Sequence, residues 1–341
     1  MTKKNKKNKS KLIITTIIAL GCIVFVPLWS LFQPINTDNK EYIYIRNNEN
    51  FETVTKQIAE KRGIIAKVSF TVLAKAFQYD KKVRPGRYML DENLFNTFRR
   101  MRNGSQSAVQ LTFNNIRTKE QLAGRLSKSL MADSASIVSL LNDSAFLQPY
   151  GLTSNNAVAV FIPDTYEMYW NVEAQDIFER MYKQYEKFWT DERLAKAAAI
   201  PLTREEVITL ASIVEEETKS ANERKTVAGL YINRLRKNMP LQADPTVKFA
   251  VGDFGLRRIL FSHLRTPSPY NTYINKGLPP GPIRLPMSHN VDAVLDFDQH
   301  NYIFMCAKET LNGEHNFAVT YAEHQKNARR YQEALNARNI R

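Results

Sequence analysis

The chain contains 341 residues, enough for two domains, and its formal net charge of +14 at pH 7 favours an anionic partner. A membrane surface or an acidic wall polymer fits this charge better than nucleic acid, because no nucleic-acid-binding motif accompanies it. The five histidines and two cysteines are scattered without the spacing of a zinc site, so we expect neither a metal nor a cofactor.

The N-terminus predicts a membrane anchor. Lysines crowd residues 1–11, and residues 12–32 form an uncharged apolar run. At about 1.5 Å per residue this run matches the hydrocarbon thickness of a bilayer, and it ends in bulky aromatic residues, unlike a cleaved signal peptide. We therefore expect a cytoplasmic basic tail at 1–11, a single-pass transmembrane helix at 12–32 and a linker at 33–40. The remaining chain would lie outside the cytoplasmic (inner) membrane, on its periplasmic side.

Residues 41–113 are predicted to form a small α+β module. Alternating apolar residues near its two ends indicate strands, and between them apolar residues recur at helical spacing, with Gly63 closing the first helix. The expected elements are a strand at 42–45, helices at 51–62 and 68–79, a turn at 84–86, a helix at 94–102 and a strand at 109–113. Residues 114–341 are expected to form a larger α+β domain.

The most informative stretch of this larger domain begins at Thr203. Thr203 and Glu206 have the spacing of a capping box, and the apolar residues that follow cluster on one side of the predicted helix. Glu217 falls on that side, whereas Glu216 points away and Glu215 lies on the opposite flank. Burial disfavours the charged form of a carboxyl and raises its pKa, which suits a general acid at neutral pH. Taken alone, the acidic triplet also fits the solvated end of a helix.

The segments that follow Glu217 favour the catalytic interpretation. Ser220 and Glu223 have the spacing of a second capping box, so we expect another helix to begin there and to place Glu217 at a corner between two helices. Three loop-forming segments come next, and such loops can line a groove with amides, hydroxyls and aromatic rings. They are Gln242-Ala243-Asp244-Pro245-Thr246, Ser268-Pro269-Tyr270-Asn271-Thr272-Tyr273 and Gly277-Leu278-Pro279-Pro280-Gly281-Pro282-Ile283.

In the order and spacing of these motifs the chain resembles the endolytic murein transglycosylase family (MltG-like or YceG-like), over nearly everything after residue 40. The segments that carry the resemblance are the acidic stretch 211–218, the three loops, the Pro163-Asp164-Thr165-Tyr166 run and residues 313–317. Two positions depart from the family pattern. Asn114-Asn115 stands where relatives often have Glu-Gly, and Ala157-Val158-Ala159-Val160 stands where they usually have an acidic-glycine pair.

The resemblance implies a LysM-like module at 41–113 and a transglycosylase catalytic domain at 114–341, acting on peptidoglycan glycan strands and working among wall synthases. It implies cleavage of the MurNAc-β-1,4-GlcNAc bond within nascent strands to leave 1,6-anhydroMurNAc ends, which limits glycan length. Glu217 would protonate the leaving oxygen and then take the proton of the muramyl 6-hydroxyl, whose intramolecular attack is favoured by proximity. The implied substrate-binding residues are Asp164, Glu215, Gln242, Asp244, Thr246, Tyr270, Asn271, Tyr273 and His315.

Two other classes of function remain open at this point. A muramidase would use Glu217 as the acid and a second carboxylate, Asp164 or Asp244, and it would leave reducing ends rather than anhydro ends. A glycan-binding scaffold that recruits wall synthases would have no activity at all. A serine hydrolase is disfavoured, since neither Ser212 nor Ser268 lies in a nucleophile-elbow motif.

Overall fold

A computed structural model of the chain describes residues 11, 13–16, 21, 25–34, 40–90, 93–256 and 258–338. The described chain is α+β and folds as two compact units, neither of which is continuous in sequence. The first unit holds the described residues up to Leu111 together with Ser129–Ala132 and Glu167–Glu173. The second holds Thr112–Lys128, Asp133–Tyr166 and the described residues from Ala174 onward.

The first unit is a two-stranded antiparallel sheet packed on helices. Strand β1 (Tyr42–Ile45) pairs with β2 (Gly86–Met89), with Tyr42 opposite Met89. Helix α1 (Phe51–Ala76) bends at Gly63, whose φ of 82° is available to a residue without a Cβ, so the two predicted helices are the two arms of one bent helix. Helix α2 (Leu94–Asn103) completes the layer. The core consists of the residues Ile43, Ile45, Val54, Ile58, Phe70, Tyr79, Tyr88, Phe98 and Met101.

The prediction of a transmembrane helix at 12–32 is wrong. Within the described part of the chain, no helix is both long and apolar enough to cross a bilayer. Residues 1–10 of the basic tail and several positions of the run itself lie outside the described residues. The described end of the run, 25–32, is helical; Leu31 is buried in the core of the first unit and Ser30 Oγ lies 2.6 Å from Ser69 Oγ, whereas most of the other side chains are exposed.

The second unit is mainly helical. Strands β3 (Val109–Thr112) and β4 (Thr165–Met168) pair with each other, and each has residues in both units. Within the second unit, β5 (Phe304–Ala307) and β6 (His315–Ala318) form an antiparallel pair with Ala307 opposite His315. The remaining elements are α3 (Lys119–Ser127), α4 (Ser134–Asn142), α5 (Ser144–Leu147), α6 (Ala174–Phe188), α7 (Asp191–Ala199), α8 (Arg204–Glu217), α9 (Arg224–Arg236), α10 (Asp244–Val251), α11 (Ser288–Leu295) and α12 (Tyr321–Ala337).

Helix α8 is the central helix of the second unit. The predicted capping box is confirmed, since Thr203 Oγ1 accepts from the Glu206 N–H and the Glu206 carboxylate accepts from the Thr203 N–H. Every residue from Val207 to Val214 is buried, including two hydroxyl residues, because α8 packs against α7, α9, α10 and α11. Ser212 Oγ also accepts a hydrogen bond of 3.0 Å from the Ile283 N–H, which ties the loop at 277–283 to this helix.

Gly281 in that loop provides a test of the close packing. A Cβ at this position would overlap with the carbonyl oxygen of Asn155, which belongs to backbone and cannot swing aside. We expect Gly281→Ala to destabilise the second unit by about 1 to 3 kcal/mol, the usual cost of overpacking, and to lower the thermal unfolding midpoint. Gly124→Ala is the matched control: it lies within α3, nothing stands within 4 Å of its added methyl, and its midpoint should be unchanged or higher. Equal midpoints for the two variants would contradict the packing.

Candidate active site

Glu217 is the last residue of α8, and the chain turns away directly after it. Thr218 adopts extended backbone angles (φ −136°, ψ 136°), so the helix ends there and the Glu217 carboxyl faces a pocket of about 230 Å³. Residues from six segments of the second unit line this pocket: α8, α9, residues 241–244, the 268–273 loop, β5 and β6. The lining residues are Glu217, Leu230, Tyr231, Arg234, Leu241, Gln242, Asp244, Tyr273, Met305, Cys306, Ala307 and His315.

The hydroxyl of Tyr231 donates a hydrogen bond of 2.8 Å to Glu217 Oε1. Tyr231 is buried on α9, and the packing of α9 on α8 brings the two side chains together. Glu217 Oε2 has no hydrogen-bond partner among the residues that the structure describes. One oxygen is therefore held in place while the other faces the pocket.

Burial raises the pKa of Glu217 from its usual 4.5 to about 7. The hydrogen bond from Tyr231 opposes this rise because it stabilises the ionised form, whereas the negative charge of Asp244 adds to it and the positive charge of Arg234 opposes it. At neutral pH both protonation states of Glu217 are populated. The same carboxyl can thus give up a proton and take one back.

Arg234 anchors one wall of the pocket, and the sequence analysis did not identify it. Its guanidinium is buried, and the burial lowers its pKa. It donates to the carbonyls of Ile303 at 2.7 Å and Leu241 at 2.9 Å, and to Gln242 Oε1 at 3.2 Å. Gln242 has a φ of 51°, and this arginine holds its amide oxygen in place. The only sequence signal was an arginine one turn after Leu230 on the buried side of α9.

Asp244 and Tyr273 form a second polar pair in the pocket. The Tyr273 hydroxyl donates to Asp244 Oδ1 at 2.7 Å, and burial together with this bond raises the pKa of the phenol. Asp244 is the first residue of α10, followed by Pro245, so its position is set by the start of that helix. The pair brings the 242–246 and 268–273 loops together beside Glu217.

His315 also reaches the pocket, and Glu223 holds it there. Glu223 accepts from the His315 N–H at 2.8 Å and lies 3.1 Å from His315 Nδ1. The prediction of a capping box at Ser220 and Glu223 is therefore wrong: α9 begins without a side-chain cap. The buried Glu223 carboxylate instead binds His315, the first residue of β6.

The expectation that Glu216 points to solvent is also wrong. Its side chain is 14% exposed and forms ion pairs with Arg117 and Arg284. Arg284 pairs with Glu215 as well, at 2.9 Å, and Glu215 Oε2 accepts from the Met287 N–H at 2.7 Å. The segment around residues 283–287 crosses the end of α8 and covers both acids. Glu215 therefore holds this segment and does not line the pocket.

Four further residues implied as substrate-binding also lie outside the lining of the pocket. Thr246 and Asn271 are fully buried; Thr246 bonds to Ala243 and Thr272, and the Asn271 amide donates to the carbonyls of two loop residues. The Tyr270 ring packs on Phe249, with centroids 4.6 Å apart. Asp164 is exposed and accepts from the N–H of Thr165 at 2.7 Å. These side chains shape loops, whereas Glu217, Gln242, Asp244, Tyr273 and His315 meet in one place.

The two departures from the family pattern have structural contacts. Asn115, at a φ of 50°, accepts from Arg284 at 3.1 Å. Residues Ala157–Val160 form a buried 3₁₀ turn.

Among the described residues, no group of three or more His, Cys, Asp or Glu side chains is arranged to hold a metal ion.

A second pocket of about 360 Å³ shares Glu217 and Asp244 with the first. Its other lining residues come from α8, from α10 and from the loop after α10. They are Glu216, Pro245, Lys248, Arg258 and Ile259. Glu217 and Asp244 therefore stand where the two pockets adjoin.

Comparisons with known proteins agree on one family. The model of the YceG-like family matches residues 43–330. An endolytic murein transglycosylase from Bacillus subtilis is 28% identical over 329 residues, which span 89% of this chain and 88% of that protein. One from Streptococcus pneumoniae is 32% identical over 130 residues, or 37% of this chain and 23% of that protein. The structure also aligns with a crystal structure of a yceG-like protein from Listeria monocytogenes, with a TM-score of 0.56 and 26% identity. This alignment covers 85% of this chain and 99% of the Listeria chain.

The raised pKa of Glu217 makes stability depend on pH. The folded state favours the protonated carboxyl, so this contribution is fully present below pH 4.5 and is lost as the pH rises through about 7. Glu217→Gln removes the titration. The free energy of unfolding of the variant minus that of the wild type should therefore be about 1 to 3 kcal/mol larger at pH 8 than at pH 4. Unfolding midpoints of both proteins from pH 4 to 8 measure this, with pH 4 as the internal control. A difference that stays constant over the range would contradict the burial of the charge.

Proposed function

Because this chain belongs to the YceG-like family, we propose that it is an endolytic murein transglycosylase. It would cleave the MurNAc-β-1,4-GlcNAc bond within glycan strands of peptidoglycan, leave 1,6-anhydroMurNAc ends and so limit strand length. The observation that carries this proposal is Glu217: a carboxyl with a pKa of about 7 lines two adjoining pockets. The curated relatives from Bacillus subtilis and Streptococcus pneumoniae bear the name of this activity.

In the first half of the reaction Glu217 acts as an acid. Tyr231 donates to Oε1, so Oε2 is the oxygen that carries the proton to the oxygen bridging the two sugars. The bond from muramyl C1 to that oxygen breaks, and N-acetylglucosamine leaves with a new hydroxyl. Glu217 is then a carboxylate, which the same Tyr231 bond stabilises.

In the second half Glu217 acts as a base. The 6-hydroxyl of the muramyl sugar forms a bond to C1 of the same ring, and its proton passes to the carboxylate. No water is consumed, and Glu217 regains the proton that it lost. Asp244, which belongs to both pockets, places a negative charge where positive charge develops at C1, and Tyr273 fixes the orientation of its carboxylate.

The other polar groups of the first pocket would hold the sugars. Gln242, fixed by Arg234, offers amide donors, and His315, fixed by Glu223, offers its second ring nitrogen. Both groups are held by buried charged residues, Arg234 in the wall of the pocket and Glu223 behind its lining. Such fixed donors orient a neutral sugar without a change of charge.

A muramidase is the runner-up, and the presence of Asp244 in both pockets favours it as the second carboxylate. Asp164 does not line either of them. A muramidase adds water to C1, so digestion in water enriched in oxygen-18 would label each new reducing end. A transglycosylase leaves unlabelled anhydro ends.

We also propose that the protein acts outside the cytoplasm, where its glycan substrate lies, and that residues 41–113 form a LysM-like glycan-contacting module. Enzymes that polymerise nascent strands would be its neighbours there. A phosphatase reporter that is active only outside the cytoplasm, fused after Arg341, should be active in cells. Activity of a cytoplasm-specific reporter at the same position would contradict this location.

The central test is Glu217→Gln. The amide keeps the size of the side chain and removes its titrating proton, so release of anhydromuropeptides should fall by about 10² to 10⁴-fold while the fold and glycan binding persist. In the wild type, kcat should fall above about pH 7 as the acid ionises. Mass spectrometry of products from insoluble glycan, with thermal melting in parallel, measures all of these.

The matched control is Glu333→Gln on the exposed side of α12, which should leave the rate unchanged. If folded Glu217→Gln releases anhydro ends within a few-fold of the wild-type rate, Glu217 is not the proton carrier. Wild-type protein that binds strands and cuts none would support the scaffold function instead.

A further inference from the structure

The second pocket contains two cations with no structural partner. Lys248 lies on α10 and Arg258 in the loop that follows it. Within the described part of the chain neither forms an ion pair, although other cations at this end of the unit, such as Arg117 and Arg284, are bound to carboxylates. Cations that line a cleft and have no carboxylate partner are available to a ligand.

The acidic residues of the pocket do not cancel these two charges. Glu216 is already bound by Arg117 and Arg284, and burial raises the pKa of Glu217 to about 7. Asp244 is the remaining carboxylate of the lining, against the two cations Lys248 and Arg258. The lining of the second pocket therefore has more unpaired cations than unpaired carboxylates that are fully ionised at neutral pH.

An apolar edge adjoins the cations. Ile259 lines the pocket, and the next two residues are strongly exposed, Leu260 by 51% and Phe261 by 87%. Exposed large apolar side chains beside a charged cleft often mark a binding surface. This edge suits a ligand that has both an anionic group and short aliphatic parts.

In a murein strand both sugar rings are neutral, and negative charge comes only from the substituent on the muramyl sugar. That substituent is a lactyl group, which ends in a carboxylate or continues into a short peptide with free carboxylates and small apolar side chains. The substituent on a sugar bound next to Glu217 would have to leave the groove through one of the two pockets. The second pocket has the charge to receive it.

We propose that Lys248 and Arg258 form a subsite for a carboxylate of the muramyl substituent, so that the enzyme selects strands by the acidic group they carry. This inference rests on the proposed function and adds a specificity determinant to it. The subsite acts on binding of the strand, and the proton transfer at Glu217 does not require it.

The test compares wild type with the double variant Lys248→Gln/Arg258→Gln on three preparations of one glycan: strands with peptides, strands stripped by an amidase to the lactyl carboxylate, and peptide strands with carboxylates converted to amides. We expect the double variant to lose about 10- to 100-fold in kcat/KM on peptide strands, chiefly through KM. On the amidated strands it should equal the wild type. A loss confined to peptide strands assigns the peptide carboxylate, and a loss on stripped strands too assigns the lactyl carboxylate.

Lys326→Gln/Arg329→Gln on α12 is the control, because it removes the same charge from exposed residues that line neither pocket. It should leave all rates within about twofold. Equal losses on acidic and amidated strands, or no loss on any, would overturn the subsite.

Binding measured in the Glu217→Gln background keeps the test independent of turnover. There, the two substitutions should weaken affinity for acidic strands and reduce its dependence on salt, while affinity for amidated strands stays constant. If the wild type cuts nothing but this difference in binding persists, the proposed function fails and the subsite stands. If the wild type cuts and the difference is missing, the subsite alone fails.

Discussion

The hydrogen bond from Tyr231 to Glu217 joins the two helices on which the site depends. Burial raises the pKa of Glu217, whereas the hydrogen bond from the phenol stabilises the ionised form and lowers it. The balance between these effects leaves the pKa near 7, which a group needs if it is to give and regain one proton in a cycle. Because the carboxyl belongs to α8 and the phenol to α9, any change in the packing of these helices alters the chemistry directly.

Buried charges hold the rest of the pocket in position, and each joins segments far apart in the sequence. Arg234 binds the backbone before β5, Glu223 binds the start of β6, and Arg284 joins the end of α8 to Asn115. A buried charge that loses its partner costs several kcal/mol, so each of these contacts resists displacement of the segment that it holds. The loops that line the pocket are irregular in backbone, yet they are fixed by the same contacts.

Local patterns in the sequence predicted the parts of this site that depend on neighbouring residues. The capping box at Thr203 and the apolar face that leads to Glu217 could be found because both arise within one helix. The position of Glu216 could not, since it depends on Arg284, whose approach to α8 is a tertiary event. The run at 12–32 shows the same limit: its apolar character fits a bilayer or a protein core equally well, and the packing of Leu31 is invisible in one sequence.

The first unit is assembled from three stretches of chain, and this fixes the order in which it can form during synthesis. Trp170 packs edge-on against Tyr44 at 4.9 Å, and its carbonyl accepts from the Met131 N–H at 2.8 Å. The last stretch of the first unit ends at Glu173, well after its first stretch has ended at Leu111. At about 5 to 20 residues per second, the ribosome supplies that last stretch roughly 3 to 12 s later. Until then β1 has emerged without the tryptophan ring that packs against Tyr44 in the folded unit.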